Sequence, residues 1–192
     1  MNMDMLNLLS DLVARARAAG ADAADAVLVS GNSVSVSRRL GRIEHLERAE
    51  GRDLGLRVFV GRSAAIVSST AVDPANFTRL AEQAIAMAKV VPEDPYAGLC
   101  EQAAPPEDIA LDLVDPQEPE ESALIARAAA AEEAAVAVPG VTNSEGGDAS
   151  WGRTEVVLVT SAGFAGRTIR TGHSISASAV AGTGTAMQRD YD

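Results

Sequence analysis

Residues 53–70 read DLGLRVFVGRSAAIVSST, two runs rich in apolar and β-branched residues on either side of Gly61-Arg62. Runs of this composition joined by a short turn signal predict an antiparallel β-hairpin. Three further runs precede it, namely VLVSG (27–31), SVSVSRR (33–39) and RIEHLERA (42–49), with turn signals at Gly31-Asn32, Gly41 and Gly51. Because turn signals recur about every ten positions, we predict an antiparallel β-meander of short strands.

One predicted helix precedes this meander in the sequence and a second one follows it. The first has apolar residues at helical spacing and ends at Gly20, a left-handed cap; its stripe is Leu6, Leu9, Leu12, Val13 and Ala16. The second begins at DPANF (73–77), where Asp73 can cap the helix and Pro74 fits its first position. Its stripe is Phe77, Leu80, Ala81, Ala84, Ile85 and Ala88, and Pro92 ends it.

A connector of different composition follows, at about residues 92–118. Residues 92–120 hold six of the eight prolines and many acidic residues. This pattern indicates either an ordered segment that wraps a surface or a linker between two halves. Wrapping is favoured by its apolar residues, which are Tyr96, Leu99, Ile109, Leu111 and Leu113.

The last third of the chain repeats the alternation of helix and strands. A third helix is predicted from about Pro119 to Ala137, with one face formed by Leu124, Ile125, Ala128, Ala131 and Ala135. A second meander follows, with turns predicted at Gly146-Gly147, Ala162-Gly163, Thr171-Gly172 and Gly182 to Gly184. The fold class is therefore α+β, with antiparallel β-meanders flanked by about three helices in the order helix, meander, helix, connector, helix, meander.

The final strand, TAMQRDYD (185–192), stops without a turn or a polar tail. An unpaired edge strand invites association with another chain. We therefore expect either that the natural chain continues or that a partner covers this edge.

Composition restricts the function classes. The 192 residues contain 16 Lys and Arg against 27 Asp and Glu, a net charge of −11. Nucleic acids and anionic membranes bind basic surfaces, so neither is an expected partner. Aromatic residues make up only 3%, which predicts a core of alanine and valine without large aromatic anchors.

The expected compartment is the cytoplasm. Cys100 is the only cysteine, so no intramolecular disulfide can form. The N-terminal segment carries an acidic residue where a signal peptide is basic, and no stretch approaches the roughly 18 apolar residues of a membrane span.

Glycine-rich stretches do not predict a phosphate site. VTNSEGGDASWG (141–152) has paired glycines, but no G-x-x-x-x-G-K-[ST] sequence occurs anywhere. Gly182-x-Gly184 lacks both a third glycine and a following helix. A turn or a bulge in the first strand of the second meander is the better interpretation of Gly146-Gly147.

No residue set predicts a catalytic or metal site. His45 lies in a predicted strand, where Glu47 shares its side and Glu44 does not, and His173 lies in the predicted turn TGHS. Neither has the neighbouring ligands that zinc requires, and the acidic surroundings of Cys100 disfavour a thiolate.

Other polar patterns have structural interpretations. No G-x-S-x-G sequence occurs, and Glu132-Glu133 are interpreted as a solvated helix face. The serine-rich strands SVSVS and SISAS can be solvent-facing or can bind another strand or sheet.

Several segments together resemble one protein family. GLRVFVG (55–61), SSTAVDPANF (68–77), AIAMAKVVPEDPYAGL (84–99), VTNSEGG (141–147) and MQRDYD (187–192) occur in the order and spacing of the N-terminal half of the PmbA/TldD family. The resemblance covers residues 6–192, and SST-x-x-DP and TNSEGG are more similar to its PmbA (TldE) branch. The family also bears the name modulator of DNA gyrase, which a net charge of −11 does not support.

This resemblance implies a cytoplasmic, two-subunit zinc metalloprotease that trims peptides or unfolded segments and matures modified peptides. Its zinc ligands, an H-E-x-x-x-H helix and a later cysteine, belong to the C-terminal half of the TldD-type subunit. His45 and Cys100 do not match those positions, so no catalytic, metal or substrate-binding residue is assigned, and no cofactor is expected in this chain. Residues 1–192 are expected to form the N-terminal domain, with the family's C-terminal domain absent.

The leading hypothesis is a non-catalytic domain of a PmbA/TldE-type subunit that assists assembly and the passage of extended peptides. Its expected partners are a TldD-type subunit, or a second copy, and peptide segments held by backbone pairing. The alternative is a stand-alone module that dimerises through a sheet edge and does no proteolysis. An independent enzyme that uses His173 or Cys100 is a third possibility.

Overall fold

The helices and strands follow the predicted order. A computed structural model of the protein describes residues 2–100 and 111–192. The helices are α1 (Asn2–Ala18), α2 (Phe77–Ala88) and α3 (Glu121–Val136). The strands are β1 (Ala23–Arg39), β2 (Arg42–Val60), β3 (Ser63–Ser69), β4 (Val141–Thr160), β5 (Ala165–Ala181) and β6 (Gln188–Tyr191), with short 3₁₀ turns at Pro74–Asn76 and Gly184–Ala186.

The two meanders form one sheet. Its order is β3-β2-β1-β4-β5-β6, so each meander keeps its sequential order and the two join where β1 lies beside β4. The sheet is antiparallel, and the predicted α+β class is confirmed. The serine-rich strands SVSVS and SISAS, which fall in the first and the second predicted meander, are parts of β1 and β5 in this one sheet.

The contacts divide the chain into two compact units. Of the described residues, unit 1 comprises 2–30, 51–100, 111 and 155–169, and unit 2 comprises 31–50, 112–154 and 170–192. The strands β1, β2, β4 and β5 each contribute one part to unit 1 and one part to unit 2.

Unit 1 is built on α1 and α2. The predicted stripe of α2 is confirmed, since its buried residues are Phe77, Leu80, Ala81, Ala84, Ile85 and Ala88. Asp73 accepts a hydrogen bond from the amide of Ala75 at 2.9 Å, although the first turn is 3₁₀ and the α-helix begins at Phe77. Gly20 has a φ of 109°, as expected of a residue that ends α1 in the left-handed region.

Unit 2 is built on α3. Its core joins β1, α3 and β4 and consists of Val34, Val36, Leu124, Ala128, Ala149 and Trp151. Trp151 is 3% exposed, and Phe77 in unit 1 is fully buried. Phe59 in unit 1 is also buried, at 3% exposed. The prediction of a core without large aromatic anchors was therefore wrong, because a low aromatic content does not prevent the few rings present from being buried.

Half of the predicted turns are not turns. Gly41, Gly61 and Gly163 do lie in turns, each with positive φ. Gly31-Asn32 lies within β1, Gly51 within β2 and Thr171-Gly172 within β5. These three positions lie where a strand passes from one unit to the other. The backbone stays extended there, so the turn-like residues mark a boundary between units and not a turn.

The paired glycines of VTNSEGG lie inside β4 and form a bulge. Gly146 has a φ of 125°, and both Gly146 and Gly147 are buried, which breaks the alternation of the strand. The alternative of a turn at this position was wrong. A Cβ on Gly147 would lie 2.9 Å from the amide of Glu132 and closer still to the carbonyl of Ala128, so α3 packs directly on the glycine backbone.

The described parts of the connector are held by hydrogen bonds more than by apolar side chains. In unit 1 the amide of Asp94 donates to the carbonyl of Arg62, and in unit 2 the amide of Thr171 donates to the carbonyl of Leu113, both at 2.9 Å. Tyr96, Leu111 and Leu113 are 93%, 64% and 41% exposed, so none of them is the apolar anchor that the sequence predicted, while Leu99 is half-buried. Ile109 lies outside the described residues.

We expect Gly147→Ala to destabilise unit 2 by about 3 kcal/mol, because a methyl group cannot fit between β4 and α3 unless the helix backbone moves. Urea denaturation followed by Trp151 fluorescence measures this loss, since Trp151 is the single tryptophan and lies in the unit 2 core. Gly172→Ala is the matched control, because apart from its two chain neighbours no residue comes within 4 Å of its added Cβ. Equal stability of the two variants would contradict this account of α3 packing.

Candidate functional site

The candidate residues from the sequence are not brought together. His45 is exposed on β2, and Cys100 is exposed and free. His173 lies in β5 and not in the predicted turn; its Nδ1 is 3.0 Å from Nη1 of Arg127 and its Nε2 is 3.8 Å from a carboxylate oxygen of Asp115. Among the described residues no group of three or more His, Cys, Asp and Glu side chains could hold a metal ion.

The structure instead shows a buried carboxylate in unit 2, at Glu132 of α3. Its Oε1 accepts hydrogen bonds from the hydroxyl of Ser144 at 2.6 Å and from the amide of Leu40 at 2.5 Å. Its Oε2 accepts from the amide of Gly41 at 3.4 Å and lies 3.9 Å from Nε of Arg38. One side chain thus links α3, the β1–β2 turn and the first part of β4.

The partners of Glu132 are themselves held in place. Ser144 accepts a hydrogen bond at its hydroxyl from the amide of Gly146 at 3.0 Å, and its carbonyl accepts from Nε of Arg39 at 3.0 Å. Leu40 has a φ of 48°, a left-handed conformation that costs energy in a residue with a side chain. The bond from Leu40 to Glu132 offsets that cost and fixes the shape of the turn.

The pKa of Glu132 is lowered. Burial by itself would raise this pKa, but the hydrogen bonds from Ser144, Leu40 and Gly41 and the charge of Arg38 together outweigh it. Glu132 is therefore ionised at neutral pH, and it is 4% exposed. The interpretation of Glu132-Glu133 as a solvated face was wrong for Glu132, while Glu133 is exposed and pairs with Arg38 at 3.2 Å.

A signal for this residue was present in the sequence. The buried residues of α3 are Leu124, Ala128 and Glu132, which are spaced by four and lie along one stripe. An acidic residue in line with an apolar stripe indicates a paired, buried carboxylate. The predicted face was centred one position away, through Ala131 and Ala135, which are half-buried.

A groove of about 500 Å³ lies beside α3 in unit 2. Small side chains of α3 form one wall, and the facing side chains of β5 and β6 form the other. The main lining residues are Ala131, Ala134, Ala135, Ile175, Ala177 and Tyr191. Ile175 and Tyr191 are 53% and 77% exposed, so the groove presents apolar surface to solvent.

The first part of β2 is a second unusual surface. Every residue from Arg42 to Asp53 is exposed, whereas every residue in the rest of the strand is buried or half-buried. β3 pairs only with the last seven residues of β2, in a register that begins at Leu54↔Ser69 and ends at Val60↔Ser63. In the described part of the chain, no strand pairs with the outer edge of the first part of β2.

No helix among the described residues is long and apolar enough to cross a membrane.

We expect Glu132→Gln to lower the free energy of unfolding of unit 2 by about 1–3 kcal/mol at neutral pH, because an amide NH₂ would face backbone donors. The folded-state pKa of Glu132 is depressed, so its ionised form stabilises the fold above the unfolded pKa, and that contribution is lost as the pH falls through the folded pKa. The difference between the wild type and the variant should therefore shrink on acidification. Urea titrations monitored by Trp151 fluorescence across the acidic range, with the exposed Glu133→Gln as control, measure it. A difference that is independent of pH would contradict the assignment.

Comparison with known proteins identifies the family. The PmbA/TldA metallopeptidase domain 1 matches residues 24–88, and the PmbA/TldA metallopeptidase central domain matches residues 114–192. The metalloprotease PmbA of Escherichia coli O157:H7 is 31% identical over 172 residues, which cover 88% of this chain and 38% of that protein.

Solved structures share the fold. A modulator of DNA gyrase from Bacteroides thetaiotaomicron superposes with a TM-score of 0.83 at 22% identity, covering 96% of this chain and 43% of that one. TldE from Thermococcus kodakarensis superposes with a TM-score of 0.76 at 16% identity, covering 96% of this chain and 42% of that one. The chain thus spans about two fifths of the length of these relatives. Together, the matched domains and the shared fold show that the chain belongs to the PmbA/TldD metallopeptidase family.

Proposed function

We propose that this chain is the non-catalytic N-terminal part of a PmbA/TldE-type subunit of a cytoplasmic zinc metalloprotease complex. It assists the assembly of the complex and the passage of extended peptide substrates. Zinc and the catalytic residues belong to a TldD-type partner in this proposal, and no residue of the described chain is given a catalytic role.

The observation that carries this proposal is the groove beside α3. Its walls are formed mainly by alanine, valine and isoleucine side chains, so it offers few polar groups that could select one peptide sequence. Its other wall includes β6, which is the last strand of the sheet order in the described residues. An extended peptide in the groove can therefore hydrogen-bond with strand backbone while its side chains contact small apolar residues.

The acidic residues of the groove indicate which peptides it favours. Asp190 and Asp192 line it, and its twelve lining residues include no basic side chain. The whole chain carries a net charge of −11. Neutral or basic peptide segments should therefore bind more readily than acidic ones.

The alternative, a stand-alone module that associates through a sheet edge, is favoured by a different observation. The outer edge of Arg42–Asp53 is long, exposed and not paired with a strand of the described chain. The two functions use different surfaces, so they can be tested separately.

We expect Ala134→Trp to weaken peptide binding and to raise the KM for peptide cleavage by the assembled complex several-fold, because an indole would fill the groove. Anisotropy of a fluorescein-labelled, unstructured neutral decapeptide measures binding to the chain, and a cleavage assay with an added TldD-type partner measures KM. Ala126→Trp is the matched control, since Ala126 is also exposed on α3 but does not line the groove.

Three results would contradict the proposal. The first is equal binding by the two tryptophan variants, and the second is cleavage that does not change when this chain is omitted. The third is peptide hydrolysis or zinc binding by the isolated chain. That result would support the independent enzyme, whose activity would then have to be lost in His173→Ala or Cys100→Ser.

A further inference from the structure

The exposed first part of β2 has a sequence that is complementary to itself. Residues 42–50 read RIEHLERAE, with Leu46 at the centre. When this segment is placed antiparallel to a copy of itself so that Leu46 faces Leu46, Arg42 lies opposite Glu50 and Glu44 lies opposite Arg48. On the other face of the same pair, Ile43 lies opposite Ala49 and His45 lies opposite Glu47.

We propose that Arg42–Glu50 pairs with the same segment of a second copy of this chain, in the antiparallel register centred on Leu46. The two copies are related by a two-fold axis perpendicular to the sheet. The pairing continues the sheet of unit 2 across the axis, and each of the two Arg–Glu pairings occurs twice because of the symmetry. This inference deepens the alternative of association through a sheet edge and rests on the same exposed segment, but it uses neither the groove nor the protease partner of the leading proposal.

The backbone of this segment is available for pairing. All nine residues are exposed, and the register with β3 begins only at Leu54. The segment is also bounded by the fold, since the β1–β2 turn precedes Arg42 and Glu50 is the last residue that β2 contributes to unit 2. The self-complementary stretch thus coincides with the part of β2 that belongs to this unit.

The charges select this register over its neighbours. A two-fold axis perpendicular to the sheet places residues of the same face opposite each other. Side chains alternate between the faces, so the partner of each residue can change only by two positions at a time. One step in one direction places Arg42 opposite Arg48. One step in the other direction places Glu44 opposite Glu50 and Glu47 opposite itself, and like charges directly opposite each other are destabilising.

The intrachain contact of Arg48 is compatible with the pairing. Nη2 of Arg48 donates to Oε1 of Glu118 at 2.6 Å, and its side chain is 45% exposed. A guanidinium has five N–H donors, so Arg48 can contact Glu118 and Glu44 of the second copy together. Leu46, which is 43% exposed, would be covered by its own symmetry mate at the axis.

A charge-swap experiment on the 192-residue chain tests the pairing. Arg42→Glu places two glutamates opposite each other, and Glu50→Arg places two arginines opposite each other, so each single variant should raise the dimer dissociation constant on the order of tenfold. The double variant restores opposite charges and should recover wild-type dimerisation. Sedimentation equilibrium at low salt measures the constants, and higher salt should weaken the wild-type dimer.

Cysteine cross-linking in a Cys100→Ser background tests the register. Leu46→Cys should oxidise to a covalent dimer because this residue faces itself. Ala49→Cys and Ile43→Cys should not cross-link alone, since each lies about 20 Å along the strand from its own copy. A mixture of these two chains should cross-link, because Ile43 and Ala49 face each other across the interface.

Specific outcomes would overturn the proposal. These are a wild-type chain that stays monomeric at about 0.1 mM, a double variant that is no better than the single ones, or Ala49→Cys dimers that form as readily as Leu46→Cys dimers. Cross-linking of Leu46→Cys only to an added TldD-type subunit would also overturn it and would assign the edge to a different partner. None of these variants changes a residue that lines the groove beside α3, so failure here leaves the peptide proposal untouched.

Discussion

The buried carboxylate of Glu132 is the constraint on which unit 2 depends. It accepts hydrogen bonds from Leu40 and Gly41 in the β1–β2 turn and from Ser144 in β4. These donors come from segments that are distant from each other in sequence, so the carboxylate fixes α3 against the β1–β2 turn and β4 at once. Removal of this acceptor would leave the buried hydroxyl of Ser144 and the part-buried amides of Leu40 and Gly41 without their partner. The buried carboxylate is therefore tolerated because these hydrogen bonds replace its contacts with water.

The position of α3 in turn sets the groove. Gly147 allows the helix backbone to approach β4 closely, and Glu132 holds the helix at that distance. With the Leu124 and Ala128 stripe directed at β1 and β4, the alanines at 131, 134 and 135 are left beside β5 and β6. A groove lined by short side chains follows from this placement, because a larger residue at these positions would close the space.

The sequence predicted which helices and strands form more accurately than it predicted where the strands begin and end. It did not predict the Glu132 site. The stripe of α2 and the cap at Asp73 follow from local rules, since spacing and turn chemistry are properties of a few neighbouring residues. Gly31 and Gly51 resembled turns because local propensity cannot distinguish a turn from a boundary between two packed units. At Glu132, the spacing of four from Leu124 and Ala128 was a signal that the interpretation as a solvated face missed, and its donor at Leu40 lies 92 residues away. Backbone donors have no sequence signature, so only the fold reveals this site.

The charged residues at the edge of β2 explain how this exposed strand can avoid pairing with strands of unrelated proteins. Charged side chains are one of the devices that protect edge strands, because a foreign strand would have to desolvate or oppose them. In RIEHLERAE the neighbouring registers place like charges opposite each other. In the register centred on Leu46, each arginine instead faces a glutamate of an identical chain. A strand from another protein would need the matching order of arginine and glutamate to pair as well. The pattern therefore excludes most partners and permits one, which is the behaviour expected of an assembly surface and not of a surface for varied peptides.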